Sequence, residues 1–238
     1  MPSLAKQAIE QIQHQLARKG FDPGVVDGIW GRRTERAVRA FQAEHGLLID
    51  GIVGPKTWAR LFEDQPFVAE WDNPGIPWFQ EARRLIGIKE RVGPGNEPKI
   101  LEWATDAGIP YRNDDVAWCG LFVAHCVDAT LSEEPLPNNP LGARNWLKFG
   151  APCEPGLGAV LVFWRVSRDG WKGHVGLYAG EDKKGNFHVL GGNQSNSVSI
   201  ARIGEDRLLG ARWPSTAPYS GKRIELAATK SMFSTNEA

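Results

Sequence analysis

The chain has 238 residues, enough for one small and one medium domain or for a single large one. Its 28 basic residues are balanced by 28 acidic ones, which removes the basic surface that nucleic-acid phosphates call for and any simple attraction to an anionic membrane. Three cysteines, Cys119, Cys126 and Cys153, do not make a disulfide framework; free thiols are the simpler reading, with a Cys126–Cys153 bridge left open.

The N-terminus does not combine a basic start, an apolar run and a small-residue cleavage site. Residues 1–19 read instead as a helix, with Leu4, Ala8, Ile12 and Leu16 at four-residue steps along one face. No run of about 18 apolar residues is present to span a bilayer. The expectation is a soluble chain made in the cytoplasm, without stable membrane insertion, and a monomer.

An internal repeat follows. Asp27-Gly28-Ile29-Trp30-Gly31-Arg32-Arg33-Thr34 matches Asp50-Gly51-Ile52-Val53-Gly54-Pro55-Lys56-Thr57 at five positions, 23 residues on. The aspartates suit Asx turns, the glycines supply positive φ, and Thr34 and Thr57 stand where helix N-caps are wanted. A second helix is expected from Thr34 to Gly46 and a short third one from Thr57 to Leu61. The doubled turn, with Phe41-Gln42 between its copies, resembles the peptidoglycan-binding domain at the ends of many bacterial and phage wall hydrolases. The likeness covers about residues 4–63 and implies peptidoglycan as the partner, with Asp27, Trp30 and Asp50 at the rim of a groove between the turns. A helical packing module without a ligand is the alternative.

Residues 64–77 hold three prolines and no helical or strand period, and read as a semi-rigid linker after a first domain at 1–63. Helices are expected next, around Trp78–Ile86, Ile100–Ala104, from about Asp115 through Cys119, and around Trp146. From Gly158 the pattern turns to strands at Ala159–Val166, His174–Ala179, Phe187–Leu190, Val198–Ile203 and Leu208–Trp213. Helices followed by an antiparallel meander make an α+β domain over 78–218, with a polar tail at 219–238. Ten tryptophans read as core filler before sugar-stacking platforms.

Cys119 falls near the start of its helix, where negative charge is favoured, and Gly120 beside it leaves room for a substrate. His174, in Gly173-His174-Val175-Gly176, is the candidate base. Asn193, in Gly191-Gly192-Asn193-Gln194, is the candidate to orient it, with His188 as the rival. Asp115 reads first as a helix cap and Trp118 first as packing, with substrate contact a secondary role for both. No residue spacing suits a metal, and neither metal nor cofactor is expected.

In this order the three motifs resemble papain-like wall hydrolases of the CHAP and NlpC-like type, over about residues 78–214. The resemblance implies a triad at Cys119, His174 and Asn193 cleaving an amide of the peptidoglycan stem, as either an N-acetylmuramoyl-L-alanine amidase or an endopeptidase. It departs from CHAP domains at Gly191, where a glutamate often stands. An endolysin-like lytic enzyme reaching the wall after release is the leading expectation. A secreted antibacterial effector of the same chemistry and a non-catalytic wall-binding protein are the alternatives.

Overall fold

The computed structural model describes residues 4–62, 69–91, 93 and 95–226. The chain divides into two compact units, Met1–Pro66 and Phe67–Ala238.

The first unit holds α1 (Leu4–Arg18), α2 (Arg32–Glu44) and α3 (Pro55–Leu61). Its core gathers Ile12 and Leu16 of α1, Ala37, Val38 and Phe41 of α2, and Leu61 of α3. The side chains of Leu4 and Ala8 lie outside the described residues. Phe21 meets Phe41 edge to face at 5.4 Å, and His45 stacks on Phe41 at 4.2 Å, closing the end of this small core.

Two tight turns feed α2 and α3, and each is wired to a buried glutamine on the helix before it. Gln13 donates to Asp27 Oδ1 at 3.2 Å, to the Ile29 carbonyl at 3.0 Å and to Thr34 Oγ1 at 3.1 Å. Its oxygen accepts from the Asp27 and Gly28 N–H groups. Gln42 repeats the pattern on Asp50 (2.8 Å), the Ile52 carbonyl (2.9 Å), Thr57 (3.1 Å) and the Gly51 N–H (2.8 Å). Each aspartate also accepts from the N–H two residues ahead, the Asx geometry. The threonines are therefore not N-caps: α2 and α3 begin after Gly31 and Gly54, and Thr34 and Thr57 sit inside the first turn as acceptors for the glutamines.

The second unit is α+β. Helices α4 (Pro77–Arg84), α5 (Pro98–Asp106) and α6 (Cys119–Asp128) precede a six-stranded antiparallel sheet. Its strands are β1 (Ala151–Pro152), β2 (Val160–Trp164), β3 (Gly173–Glu181), β4 (Asn186–Gly191), β5 (Ser199–Gly204) and β6 (Leu208–Trp213), in the order β1-β6-β2-β3-β4-β5. The segment expected as a helix around Trp146 is a 3₁₀ turn, Ala143–Lys148. Helix α6 is buried from Cys119 through Val127, as a helix apolar all round must be, and packs on α4, α5, β3 and β4.

Two expected boundaries move. Residues 69–77 do not link the domains: Trp71 and Ile76 are fully buried in the second unit, and the Trp71 indole donates to the Ala179 carbonyl of β3 at 2.7 Å. Pro74 is exposed and Pro77 opens α4, so these two prolines do not free the segment from the second unit. Residues 64–68 lie outside the described residues. At the other end, residues 224–226 are no free tail. Glu181 N–H donates to the Ile224 carbonyl and Leu226 N–H to that of Glu181, both at 2.8 Å, while Ile224 and Leu226 are buried. Residues 219–223 are described and mostly exposed, and 227–238 lie outside the described residues.

Tryptophan is mainly a core residue here. Trp71, Trp78, Trp103, Trp118 and Trp146 are fully buried, and the indoles of Trp71, Trp78, Trp118 and Trp146 each donate to a named acceptor. Among the described residues no helix is long and apolar enough to cross a membrane.

Candidate active site

Cys119 is the first residue of α6, with Trp118 at the N-cap position. The helix begins four residues later than its expected start at Asp115, which is exposed and whose N–H is held by Asn113 Oδ1. Asp115 thus does not cap α6. Gly120 does not open room for a substrate either. A Cβ there would stand 2.0 Å from the Pro140 carbonyl oxygen, so its hydrogen is what lets α6 lie against the 140–141 backbone. Cys119 itself is buried, and it lines a cavity of about 620 Å³ together with Gly173, the opening residue of β3.

His174 follows Gly173, opposite Phe163 of β2, and is buried. Its Nε2 lies 3.0 Å from Gln194 Oε1. The residue that reaches the imidazole is therefore Gln194, not Asn193. Beyond Gly191 the strand ends, and Asn193, Ser195 and Asn196 all take positive φ, at 54°, 51° and 58°. This tight loop swings Gln194 beneath the sheet, fully buried. Its Nε2 donates to the Val189 and Ser199 carbonyls, and its backbone pairs with Ser197. With both amide hydrogens directed to carbonyls, the oxygen that faces His174 can only accept. The histidine must then carry its proton on Nε2, leaving Nδ1 as the basic nitrogen.

Asn193 points elsewhere. With its amide oxygen turned toward the indole, it accepts from Trp118 N–H at 3.2 Å and from Trp118 Nε1 at 3.3 Å. Trp118 is fully buried, near Trp103 (6.1 Å between ring centroids), and donates its indole N–H to Glu90 at 2.6 Å. It stands at the N-cap beside Cys119 and presents no face to solvent. The departure at Gly191 also has a structural reason. A Cβ there would approach Gln194 Oε1 at 3.0 Å and His174 Nε2 at 3.3 Å, so a side chain at 191 would crowd the pair.

His188 does not reach this pair. It lies opposite Gly180, beyond the irregularity at Tyr178/Gly180, and burial lowers its pKa while the neighbouring Asp182 works to raise it. His125 stacks on Trp103 at 5.2 Å and meets Glu81 at 3.1 Å, a structural placement. The other two cysteines are free thiols unsuited to attack. Burial pushes Cys126 well above the ordinary thiol range, and burial together with Glu154 pushes Cys153 up to about 11.

An acidic group flanks the Trp118 turn. Burial raises Glu90 above the usual carboxylate range, Asp114 and Asp115 add to the rise, and the Trp118 bond opposes it. Asp114 is buried and accepts from Glu97 N–H at 2.7 Å. Among the described residues no group of three His, Cys, Asp or Glu side chains is placed to hold a metal.

In the first unit, Asp27 and Asp50 serve the turns themselves. The Ile29 and Ile52 N–H groups, then Gln13 and Gln42, hold their carboxyls below the usual range. Trp30 is 38% exposed. A pocket of about 360 Å³ in this unit is lined instead by Phe21, Asp22, Arg33 and Arg36 with Gly20, Ala37 and Ala40, so none of the three expected rim residues borders it. Sequence periodicity gave no sign of this pocket, nor of Gln13 and Gln42 as keystones of the turns.

A family model described as "Putative peptidoglycan binding domain" matches residues 5–61. The chain is 41% identical over 78 residues to the N-acetylmuramoyl-L-alanine amidase CwlM of Mycobacterium tuberculosis, covering 33% of this chain and 18% of that protein. It is 28% identical over 87 residues to a spore cortex-lytic enzyme of Halalkalibacterium halodurans, 37% of this chain and 26% of the relative. It is also 39% identical over 66 residues to the N-acetylmuramoyl-L-alanine amidase CwlL of Bacillus licheniformis, 25% and 18% respectively. The chain thus spans about a quarter or less of the length of these relatives. No solved structure matches.

Proposed function

We propose that this chain is a peptidoglycan hydrolase, in which the first unit binds the wall and the second, of papain-like CHAP or NlpC-like type, cleaves an amide bond of the stem peptide. The observation that carries the catalytic half is the His174–Gln194 pair at 3.0 Å, beside a cavity bordered by Cys119 at the head of a buried helix. The family match over 5–61 and the amidase and cortex-lytic names of the relatives support the wall as target.

The chemistry is acyl transfer to water. Gln194 holds His174 with its proton on Nε2, and Nδ1 takes the Cys119 thiol proton. The helix N-terminus favours the resulting thiolate. The sulfur attacks the amide carbonyl, and the Cys119 backbone N–H donates to the oxyanion. As the C–N bond breaks, the imidazolium protonates the leaving amine. Water, deprotonated by His174, then attacks the thioester and releases the acid, and the imidazolium returns its proton to sulfur. No metal enters these steps. The wall is the site of action, reached after release or delivery from the cell that makes the protein, as a phage-type endolysin would be.

Replacing Cys119 with alanine tests the assignment directly. Purified wild-type chain should clear a suspension of isolated walls, while the Cys119→Ala chain should sediment with the walls and leave them intact. Clearing that survives the substitution would remove Cys119 from the reaction. Mass spectrometry of the digest identifies the bond, since only an amidase separates whole stem peptides from sugar.

A further inference from the structure

The cavity beside Cys119 has a second wall that the bond-breaking residues do not use. Arg165, Val166, Trp171 and Lys172 of the β2–β3 loop line it, as does Arg144 of the 3₁₀ turn. Besides the thiol, its ionisable lining is three cations, Arg144, Arg165 and Lys172, and no carboxylate, in a chain whose formal net charge is zero. Asp169 belongs to the same loop but not to the lining.

The loop is built to hold one shape. The Arg144 guanidinium donates to the carbonyls of Lys172 (2.9 Å), Arg168 (2.9 Å) and Ser167 (3.0 Å), which pins the loop to the 3₁₀ turn and fixes that cation at the cavity. Ser167 N–H closes a three-residue turn on the Arg165 carbonyl at 2.8 Å, with Val166 between them at φ 67°. A β-branched residue in the left-handed region is strained, and it persists only where the surroundings over-determine it. The loop also leaves apolar surface uncovered: Val166 is 75% exposed and Trp171 83%, with the Lys172 ammonium 5.7 Å from the Trp171 ring centroid. A fixed, concave surface of cations and an uncovered indole suits a ligand that is both anionic and partly aliphatic.

We propose that this wall is a carboxylate-binding subsite, seating a stem-peptide residue with a free carboxylate next to the scissile amide. The carboxylate faces Arg165 and Lys172, and the aliphatic part of the residue lies on Trp171. The assignment rests on the hydrolase reading of Cys119 and narrows its substrate to wall peptides whose carboxylates are not amidated.

The test compares two soluble disaccharide-peptide fragments of peptidoglycan, identical except that the stem carboxylates are free in one and amidated in the other. The wild-type chain should cleave the free form with a kcat/KM about tenfold or more above the amidated form, as expected when charge-assisted contacts are lost. Lys172→Glu, at an exposed position, should bring that ratio close to one. Trp171→Ala should raise KM for the free form about tenfold, by removal of uniform binding. Equal rates on both fragments with wild type, or a ratio unchanged by Lys172→Glu, would overturn the subsite while leaving the hydrolase intact. Calorimetric titration of the Cys119→Ala chain with the same pair reads binding without turnover. Tighter binding of the free form there, with neither fragment cleaved by wild type, would sustain the subsite and sink the hydrolase. Equal affinities would sink the subsite.

Discussion

Gln194 does by amide what a carboxylate does in many histidine-based sites. A buried carboxylate beside His174 would need compensation for its charge. Gln194 instead has both amide hydrogens on the Val189 and Ser199 carbonyls, so one oriented dipole faces the ring at no such cost. Removing the amide should cost orientation and tautomer control together. Gln194→Ala is expected to lower kcat on isolated walls by about 100-fold, within the range for general acid–base catalysis. Asn193→Ala, which loses a contact to Trp118, should cost at least tenfold less, and steady-state rates on a soluble fragment separate the two. Sequence alone weighs Asn193 against His188 and passes over Gln194, because strand alternation tells side-chain direction only while the strand continues. Past Gly191 three non-glycine residues turn left-handed, and counting odd and even positions no longer tells which side chain turns inward. Cys119 and His174 could be singled out from the sequence because each stands where one element starts, whereas Gln194 stands in an irregular loop, where no period applies.

At the scale of elements, the head of α6 shows how closely packing fixes Cys119. The apolar run 119–127 announced a buried helix, but its starting residue depends on Trp118 folding in toward Glu90 and Asn193, contacts that come from 28 and 75 positions away. Gly120→Ala places a methyl group 2.0 Å from a backbone carbonyl oxygen that cannot swing aside. We expect destabilisation of about 3 kcal/mol, the upper end for overpacking, measured as a lower midpoint in urea unfolding of the second unit. In the first unit the repeat was legible as two turns, yet the glutamines that hold them were not, because each belongs to the helix before. Gln42→Leu strips Gly51, Ile52, Asp50 and Thr57 of their shared partner. It should cost about 1–3 kcal/mol for the orphaned polar groups, seen as faster amide exchange at Gly51.

The whole molecule carries a pH dependence outside the candidate site. Glu81 on α4 meets Arg84 and also His125 on α6, tying two helices together. Burial works to raise its pKa, but the bonds and charges of Arg84 and His125 prevail and hold it at about 2, against an ordinary 4.5. A carboxyl depressed on folding contributes stability that is complete above pH 4.5 and is lost as pH falls toward 2. Denaturant midpoints of the full chain should therefore drop across that window, and Glu81→Gln should flatten this part of the curve. The α+β class and the order of elements were legible at this scale, since helical and strand periods change once, near Gly158. The placement of 69–77 and 224–226 was not. Both depend on distant partners, the Ala179 carbonyl for Trp71 and the Glu181 edge for the C-terminal segment, and their prolines and polar residues look the same whether the chain is docked or free.

The contact between Gly191 and Gln194 makes these two positions a single decision. A side chain at 191 would crowd both Gln194 Oε1 and His174 Nε2, so either must give by a few tenths of an ångström before the two can coexist. Adding a side chain at 191 therefore perturbs the very amide that meets the imidazole, and the two sites are best varied together.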